Sequence, residues 1–435
     1  MKVTKLSIVA AMLVGSTLSA FDYEVDALAK LWYQTSDFSG SGASQAQKDA
    51  DLFDKGGGSK ALNSLGNASL LVGAKASVND DLKIGGSIYG LSTLGLDGNL
   101  VSATPSNKVG MHAEDKATDD QWWARELWLA YTMSNTTLKV GRQELNTPLL
   151  FTEKWNVVDN TFNAALLINN DIPDTTLIGA FVGKSNGVAG GSTVAFDGEF
   201  NSFANHGAVA VGAINKSIPN TNLQAWYYSI TSAAKAFWLQ GDTSQLDKTI
   251  DLGVQFAHLK PSVDDFKGAG DDGKKGTSIG AVKAAINVAD STFYAAFSKA
   301  GKGENNTNFS NAATDDKSNI YTALGSIWFD GEHTTKSDTK AWKVGASTKL
   351  VPYVTLSTSY GQAKQGNNGD RRDLSERNEY SAFDLIASTG YKAFGFTAIY
   401  NNYVIKYLNG GNGGNALDGD KLKTNTIRFI ASLKF

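Results

Sequence analysis

The chain has 435 residues, with 40 basic against 43 acidic side chains and a net charge of −3, a balance that argues against a nucleic-acid partner. It contains no cysteine, which excludes disulfides, thiolate nucleophiles and cysteine metal sites, and it carries 45 glycines against 6 prolines. Its mean hydropathy is −0.22 and nothing along it looks like a boundary, so it reads as one domain whose apolar residues must be found by pattern.

In chain order, the first element is a leader. Lys2 and Lys5 precede an apolar run from Leu6 to Leu18, and the small residues Ser19 and Ala20 close it before Asp22. This is the pattern of a secretory signal peptide, and thirteen residues are too few for a membrane helix, which needs ~20. Residues 1–20 are therefore expected to be removed, by cleavage after Ala20 or alternatively after Ser19, leaving 21–435 with a net charge of −5.

From there on the recurring pattern has period two. Tyr23, Val25, Ala27, Ala29, Leu31 and Tyr33 share one face of an extended segment, and Glu24, Asp26, Lys30 and Gln34 share the other. The two tyrosines would stand about 23 Å apart along a membrane normal if the strand tilts by about 45°, close to the ~25 Å apolar band between aromatic girdles. Similar segments follow at 65–78, 82–92, 121–133, 137–144, 161–169, 174–183, 205–214, 222–231, 234–241, 249–258, 277–287, 290–299, 339–350, 353–361, 379–391, 394–405 and 424–435, making eighteen in all. Short turns such as Asn79–Asp81, Ser134–Thr136, Asn170–Pro173, Val288–Ala289, Val351–Pro352 and Lys392–Ala393 alternate with long loops such as 35–64, 93–120, 300–338 and 406–423. The pattern predicts an all-β fold, a transmembrane antiparallel β-barrel with short periplasmic turns and long extracellular loops. Parity places the further apolar segment Ile320 to Phe329 inside one of those external loops. The last strand alternates Ile427, Phe429, Ala431, Leu433 and Phe435 with Arg428, Ile430, Ser432 and Lys434, resembling the terminal strand by which such barrels are recognised for assembly. Such a barrel is expected in the outer membrane of a Gram-negative bacterium, among outer-membrane lipids and lipopolysaccharide, engaging the barrel assembly machinery during biogenesis. Passive passage of small solutes is the function it suggests. An adhesin or structural barrel acting through its external loops is the alternative.

Residues 141–165, GRQELNTPLLFTEKWNVVDNTFNAA, and 171–177, DIPDTTL, together with the leader, resemble the major outer membrane porins of the Campylobacter type, related to the wider OprD-type porins. The resemblance covers roughly 40 residues. It implies an eighteen-stranded barrel, often a homotrimer, with one loop folded inward to narrow the pore.

Selectivity in such a channel comes from charges at a constriction, so the polar face of each strand supplies the candidates. Asp26, Lys30, Lys75, Lys139, Asp251, Lys283, Lys343, Asp384 and Arg428 alternate with lipid-type neighbours and are expected to face the lumen. Basic groups predominate among them, which suggests attraction for anions. The segment Leu145–Asn160 is the candidate constriction loop, carrying Glu153, Lys154, Trp155 and Asp159. Strict alternation would turn Arg125 and Arg142 toward lipid, at about 2–4 kcal/mol each at the midplane, so a bulge near Gly141 or an interfacial position is expected. On that basis Arg142 is assigned to the lumen and the constriction.

Catalytic signals are accidental. Gly183–Gly187 fits G-x-S-x-G but opens a loop, whereas a nucleophile elbow leads into a helix. Gly268 to Lys275 misses the phosphate-loop pattern at its last position. His112, His206, His258 and His333 lack metal-ligand spacing, so no cofactor is expected. Loop carboxylates at Asp271, Asp272, Asp418 and Asp420 could hold calcium, although ordinary solvation is the commoner fate of such groups.

Overall fold

The computed structural model describes residues 22–54, 64–96, 121–187, 198–202, 206–262, 276–303, 307–327, 331–366, 378–408 and 419–435. The leader therefore lies outside the described residues, as do His112, Asp271, Asp272, Asp418 and the Gly268 to Lys275 string.

The strands are β1 (Asp22–Ser39), β2 (Ser64–Ser77), β3 (Leu82–Ser92), β4 (Gln121–Met133), β5 (Thr136–Gln143), β6 (Phe162–Asn169), β7 (Thr175–Ser185), β8 (Ala208–Asn215) and β9 (Thr221–Ile230). They continue as β10 (Ala234–Gln245), β11 (Ile250–Pro261), β12 (Thr277–Val288), β13 (Ser291–Ala300), β14 (Thr339–Val351), β15 (Val354–Gln365), β16 (Asn378–Tyr391), β17 (Phe394–Tyr407) and β18 (Lys421–Lys434). Each pairs antiparallel with its chain neighbours, and β1 pairs with β18 from Leu28↔Lys434 to Ser39↔Lys423, closing an eighteen-stranded barrel. A two-residue stub, Asn201–Ser202, adds to the end of β7 and makes no crossing. Closure leaves no unpaired edge, which is what lets a sheet stand in lipid.

Short turns of two to five residues join the strands at one end, and the longer connections lie at the other, with Thr231–Ala233 the one short link there. Several turns place non-glycine residues in the left-handed region, including Ser134 (φ 52°), Ala289 (φ 51°) and Lys392 (φ 53°), as tight hairpins of right-twisted strands require. The outward faces are apolar and exposed: Leu31, Leu127, Leu129, Val254, Phe293 and Val344 belong to them. Outward aromatics gather at both heights, Tyr131, Tyr391 and Phe394 near the turns and Tyr227, Phe297 and Trp342 near the loops. Strands run further at the loop end than apolar alternation indicates, β1 to Ser39 and β15 to Gln365, because ladder pairing above the apolar band needs no hydrophobic face.

Alternation breaks where β3 meets β4. Ser87 pairs with Glu126 and Ile88 with Ala124, so Arg125 is the extra residue of a bulge and turns inward with Trp123. The irregularity expected near Gly141 is thus in β4 instead. Gly141 itself has φ +120°, and a Cβ there would lie 2.2 Å from the Leu127 carbonyl oxygen, so the position requires glycine. The register of β5 does not slip, and Arg142 stays on the outward face with its cross-strand partner Leu127. Its guanidinium lies 3.5 Å from the Phe200 ring centroid and bonds to Asn163 and to the Ala124 carbonyl, which satisfies the charge. The lumenal assignment of Arg142 is accordingly corrected.

The inward faces are unusually buried for so wide a barrel, because two long connections fold into the lumen. Loop A is residues 144–161 between β5 and β6, and loop B is residues 301–338 between β13 and β14. The segment from Ile320 to Ile327 belongs to loop B, as parity requires, but it lies within the barrel against its wall and is not external.

Candidate functional site

Loop A begins as a small hairpin. Asn146 bridges Phe151, Thr147 N–H donates to the Leu150 carbonyl (3.0 Å), and Thr152 N–H donates to that of Leu145 (2.8 Å). Its tip presses Leu149 and Leu150 into a lumenal cluster with Trp226, Tyr228 and Trp238 of β9 and β10. The second limb crosses to the opposite wall and is tied to four successive strands. Trp32 Nε1 donates to the Trp155 carbonyl (3.1 Å), Lys30 Nζ to Asn156 (3.0 Å) and Ser69 Oγ to Val157 (3.0 Å). Arg125 then grips both oxygens of Asp159, at 2.7 and 2.6 Å, while Tyr89 donates to the same carboxylate at 2.9 Å. A bidentate guanidinium–carboxylate pair fixes orientation as well as position. The loop therefore spans the lumen.

Loop B lines the remaining wall. Tyr321 N–H donates to Gln255 Oε1 (3.0 Å) and Gln255 Nε2 to the Asn319 carbonyl (2.8 Å). The Tyr321 hydroxyl donates to Asp242 (2.7 Å), across Gly253, where a Cβ would stand 2.5 Å from that hydroxyl oxygen. Lys343 Nζ donates to the Ala323 carbonyl (2.8 Å), and Ser326 donates to Asp384 through N–H (3.0 Å) and Oγ (2.7 Å). Leu324 completes the attachment among Ala341, Ala363, Tyr380 and Tyr403.

The loops meet at Glu153. Its Oε1 accepts from Asn311 Nδ2 (2.9 Å), the Thr314 hydroxyl and the Lys317 N–H (3.4 Å), and its Oε2 accepts from Trp155 Nε1 (2.7 Å). Asn311 also donates to the Phe151 carbonyl (2.8 Å), and Ala312 N–H to that of Leu149 (2.8 Å). Burial, reinforced by the Asp316 carboxylate, raises the Glu153 pKa above the ordinary carboxylate value.

The sequence candidates thus separate by role. Lys30, Lys343, Asp384 and Arg428 face inward, and each is engaged in holding an infolded loop or the wall beneath one. Arg428 donates twice to Gln34 Oε1 (2.9 and 2.6 Å) and lies against the rings of Trp32 and Trp155. Lys283 pairs with Asp242 (3.5 Å) over the Tyr321 ring, and Lys139 lies over Trp128. Asp251, near the turn end, accepts from Ser244 and Asn287, while Asp26 and Lys75 are exposed on the inner wall. Within loop A, Glu153 and Asp159 are buried, whereas the Lys154 side chain is 63% exposed and bonds to Glu144 at 2.7 Å. Burial works against ionisation of Glu144, but Arg125 and Lys154 prevail and hold its pKa below the ordinary value.

Sequence reasoning missed Arg125 as the hub of this wall, with its partners Glu126 and Glu144. It also missed Asp242 and the loop B residues Asp316 and Lys317. Asp242 was within reach, since Gln240 and Asp242 continue the inward alternation of β10 just past the point where its apolar partners stop. Among the described residues no group of three or more His, Asp or Glu side chains could hold a metal ion. Ser185 sits at the end of β7 with its hydroxyl accepting from the Gly187 N–H (3.2 Å).

A family model described as outer membrane porin, OprD family, matches residues 81–404. No curated protein matches the chain by sequence. Among solved structures, OccK1 (OpdK) of Pseudomonas aeruginosa is similar with a TM-score of 0.68 at 14% identity, covering 95% of this chain and 98% of that one. OccK9 (OpdG) from the same organism gives 0.69 at 14% identity over 95% and 99%, and OpdQ gives 0.66 at 15% over 95% and 98%. OpdK has also been solved with vanillate.

Proposed function

The chain belongs to the OprD family of outer membrane porins, and from that premise we propose that solutes cross it through the part of the lumen left between the two infolded loops, past the Lys154 side chain. Members of this family form channels for small solutes in the outer membrane of Gram-negative bacteria, and they are channels rather than enzymes. The observation that carries the finer reading is the sorting of charge in loop A. Glu153 and Asp159 are buried in holding the loop, whereas the Lys154 side chain, paired with Glu144, is 63% exposed. Lys75 and Lys139 stand on the same inner wall, Lys75 exposed on β2 and Lys139 half-buried on β5. A row of cations along one wall favours small anions over cations of equal size. Vanillate, a small aromatic carboxylate, is the kind of solute this wall would accept.

Within the family, the strings at 141–165 and 171–177 support a place with the Campylobacter-type major porins. The same reading includes export with residues 1–20 as a cleaved signal peptide, folding by the barrel assembly machinery, and assembly as a homotrimer. The test is single-channel recording in a planar bilayer under asymmetric salt. Stable conductance steps with an anion-preferring reversal potential are expected, and Lys154→Glu should move that potential toward cations. A heat-modifiable barrel that inserts without conducting would sink the channel reading. A cation-preferring potential unchanged in Lys154→Glu would sink the role of the lysine wall.

A further inference from the structure

The outward face carries a charged row that the transport function does not use. At the loop end of six consecutive strands, cross-strand partners run Lys299 (β13), Lys340 (β14), Lys364 (β15), Glu379 (β16), Lys406 (β17) and Lys421 (β18). All six alternate with lipid-facing residues: Lys299 follows Phe297, Lys340 precedes Trp342, and Lys364 follows Tyr360 and Gln362. Lys423 stands one outward position below Lys421, and from there to the turns the outward positions of β13–β18 are uncharged. Lysine is therefore confined to one height, just beyond the loop-side aromatics, where a membrane's headgroups begin.

The register makes the row costly without a counter-ion. Adjacent strands are about 4.8 Å apart, and like charges directly opposite each other destabilise a sheet. Glu379 answers two of the lysines, Lys364 and Lys406, each at 3.9 Å. Among the described residues no carboxylate pairs with Lys299, Lys340 or Lys421. A second opposed pair, Lys235↔Lys260, repeats the motif at the loop end of β10 and β11.

We propose that the Lys299–Lys340–Lys364 row binds the phosphate groups of a phosphorylated lipid in the outer leaflet. Phosphate supplies what the row lacks, a compact group of negative charge with several acceptor oxygens, and lysine meets it as a point charge. Phe297, Trp342 and Tyr360 lie directly below, where they meet the upper acyl chains of the same lipid. A lysine at such a boundary can lay its apolar stem along the acyl region while its ammonium group reaches the headgroup plane.

The test uses the full chain, refolded in neutral detergent, and native mass spectrometry with diphosphorylated lipid A or the same lipid with both phosphates removed. Wild type should retain the diphosphorylated lipid and release the other. In Lys299→Gln/Lys340→Gln/Lys364→Gln, retention should fall about a hundredfold, since each lysine near an anionic lipid surface contributes roughly a factor of five. The corresponding triple arginine variant should restore it. Heat-modifiable mobility and unchanged single-channel conductance establish that the variants are folded. Equal retention of the two lipids by wild type overturns the proposal without any variant, and so does undiminished retention by the folded glutamine variant.

Discussion

Replacing Arg125 by methionine removes the guanidinium while keeping most of the side-chain volume, and its consequence can be worked from the contacts. Asp159 loses both charge-assisted bonds and keeps the Tyr89 hydroxyl at 2.9 Å, while remaining buried. Breaking a buried ion pair by deleting one partner costs about 3–5 kcal/mol, because the surviving charge is left uncompensated. The other polar ties of this limb, from Lys30, Trp32 and Ser69 to backbone carbonyls, are each worth about 0.5–1.5 kcal/mol net. Arg125 is thus the largest polar restraint on this limb of loop A, and a loss of ~4 kcal/mol corresponds to a population shift of about a thousandfold toward the displaced limb. The expected phenotype is a larger, noisier single-channel conductance together with faster tryptic cleavage after Lys154, whose side chain is already exposed. The barrel should still insert, since the strand ladders are untouched. Arg125→Met/Asp159→Asn should recover most of the wild-type conductance, because the double variant no longer buries an unpaired carboxylate. Asp159→Asn alone should be milder, as Arg125 retains Glu126 and Glu144. If Arg125→Met shows wild-type conductance, noise and tryptic resistance, loop A is held by its apolar contacts and the account of the hub is wrong.

Three further outcomes follow from the same geometry. The folded pKa of Glu153 is raised, so its contribution to loop docking is fully present below the unfolded carboxylate value and is lost as pH rises through the folded one. Tryptic cleavage after Lys154 should therefore quicken on going from acid to neutral pH, and Glu153→Gln should flatten that dependence; an unchanged profile in the variant would assign the pH effect elsewhere. Gly253→Leu places side-chain atoms where the Tyr321 hydroxyl lies, so it should dislodge loop B from Asp242 and raise conductance, with insertion efficiency as the control for folding. Arg142→Gln removes a charge from the outward face, so the reversal potential should stay at its wild-type value; a shift would return Arg142 to the lumen.

The barrel was legible in the sequence because each strand declares its faces locally. Alternation such as Leu31 out and Trp32 in needs no knowledge of the neighbour, and the spacing of turns then fixes strand number and direction. Loop A was legible as an element, since the family strings and its charges single it out. The roles within it were not. Whether Glu153 faces solute or a seam depends on Asn311 and Thr314, more than 150 residues away, and the fate of Arg125 depends on a bulge opposite Ser87 that alternation alone contradicts. Arg142 was misassigned for the converse reason: the bulge was placed on the wrong strand, and a phenylalanine ring outside the ladder proved able to receive the charge.

The lumenal charges also show why a count of polar-face residues is a weak guide to selectivity. A barrel of eighteen strands is too wide for its own side chains to fill. Whatever narrows it must come from the connections, and those must be attached to a wall whose inward residues are the only groups available. Lys30, Lys343, Asp384 and Arg428 are spent on that attachment, three of them through loop backbone groups and the fourth against Trp32 and Trp155. On the proposed reading, the charges that act on a solute are those left over once both loops are bound, Lys154 above all, with Lys75 and Asp26 on the open wall. It follows that a substitution at an anchoring residue should change pore width first and ion preference second, whereas a substitution at Lys154 should do the reverse.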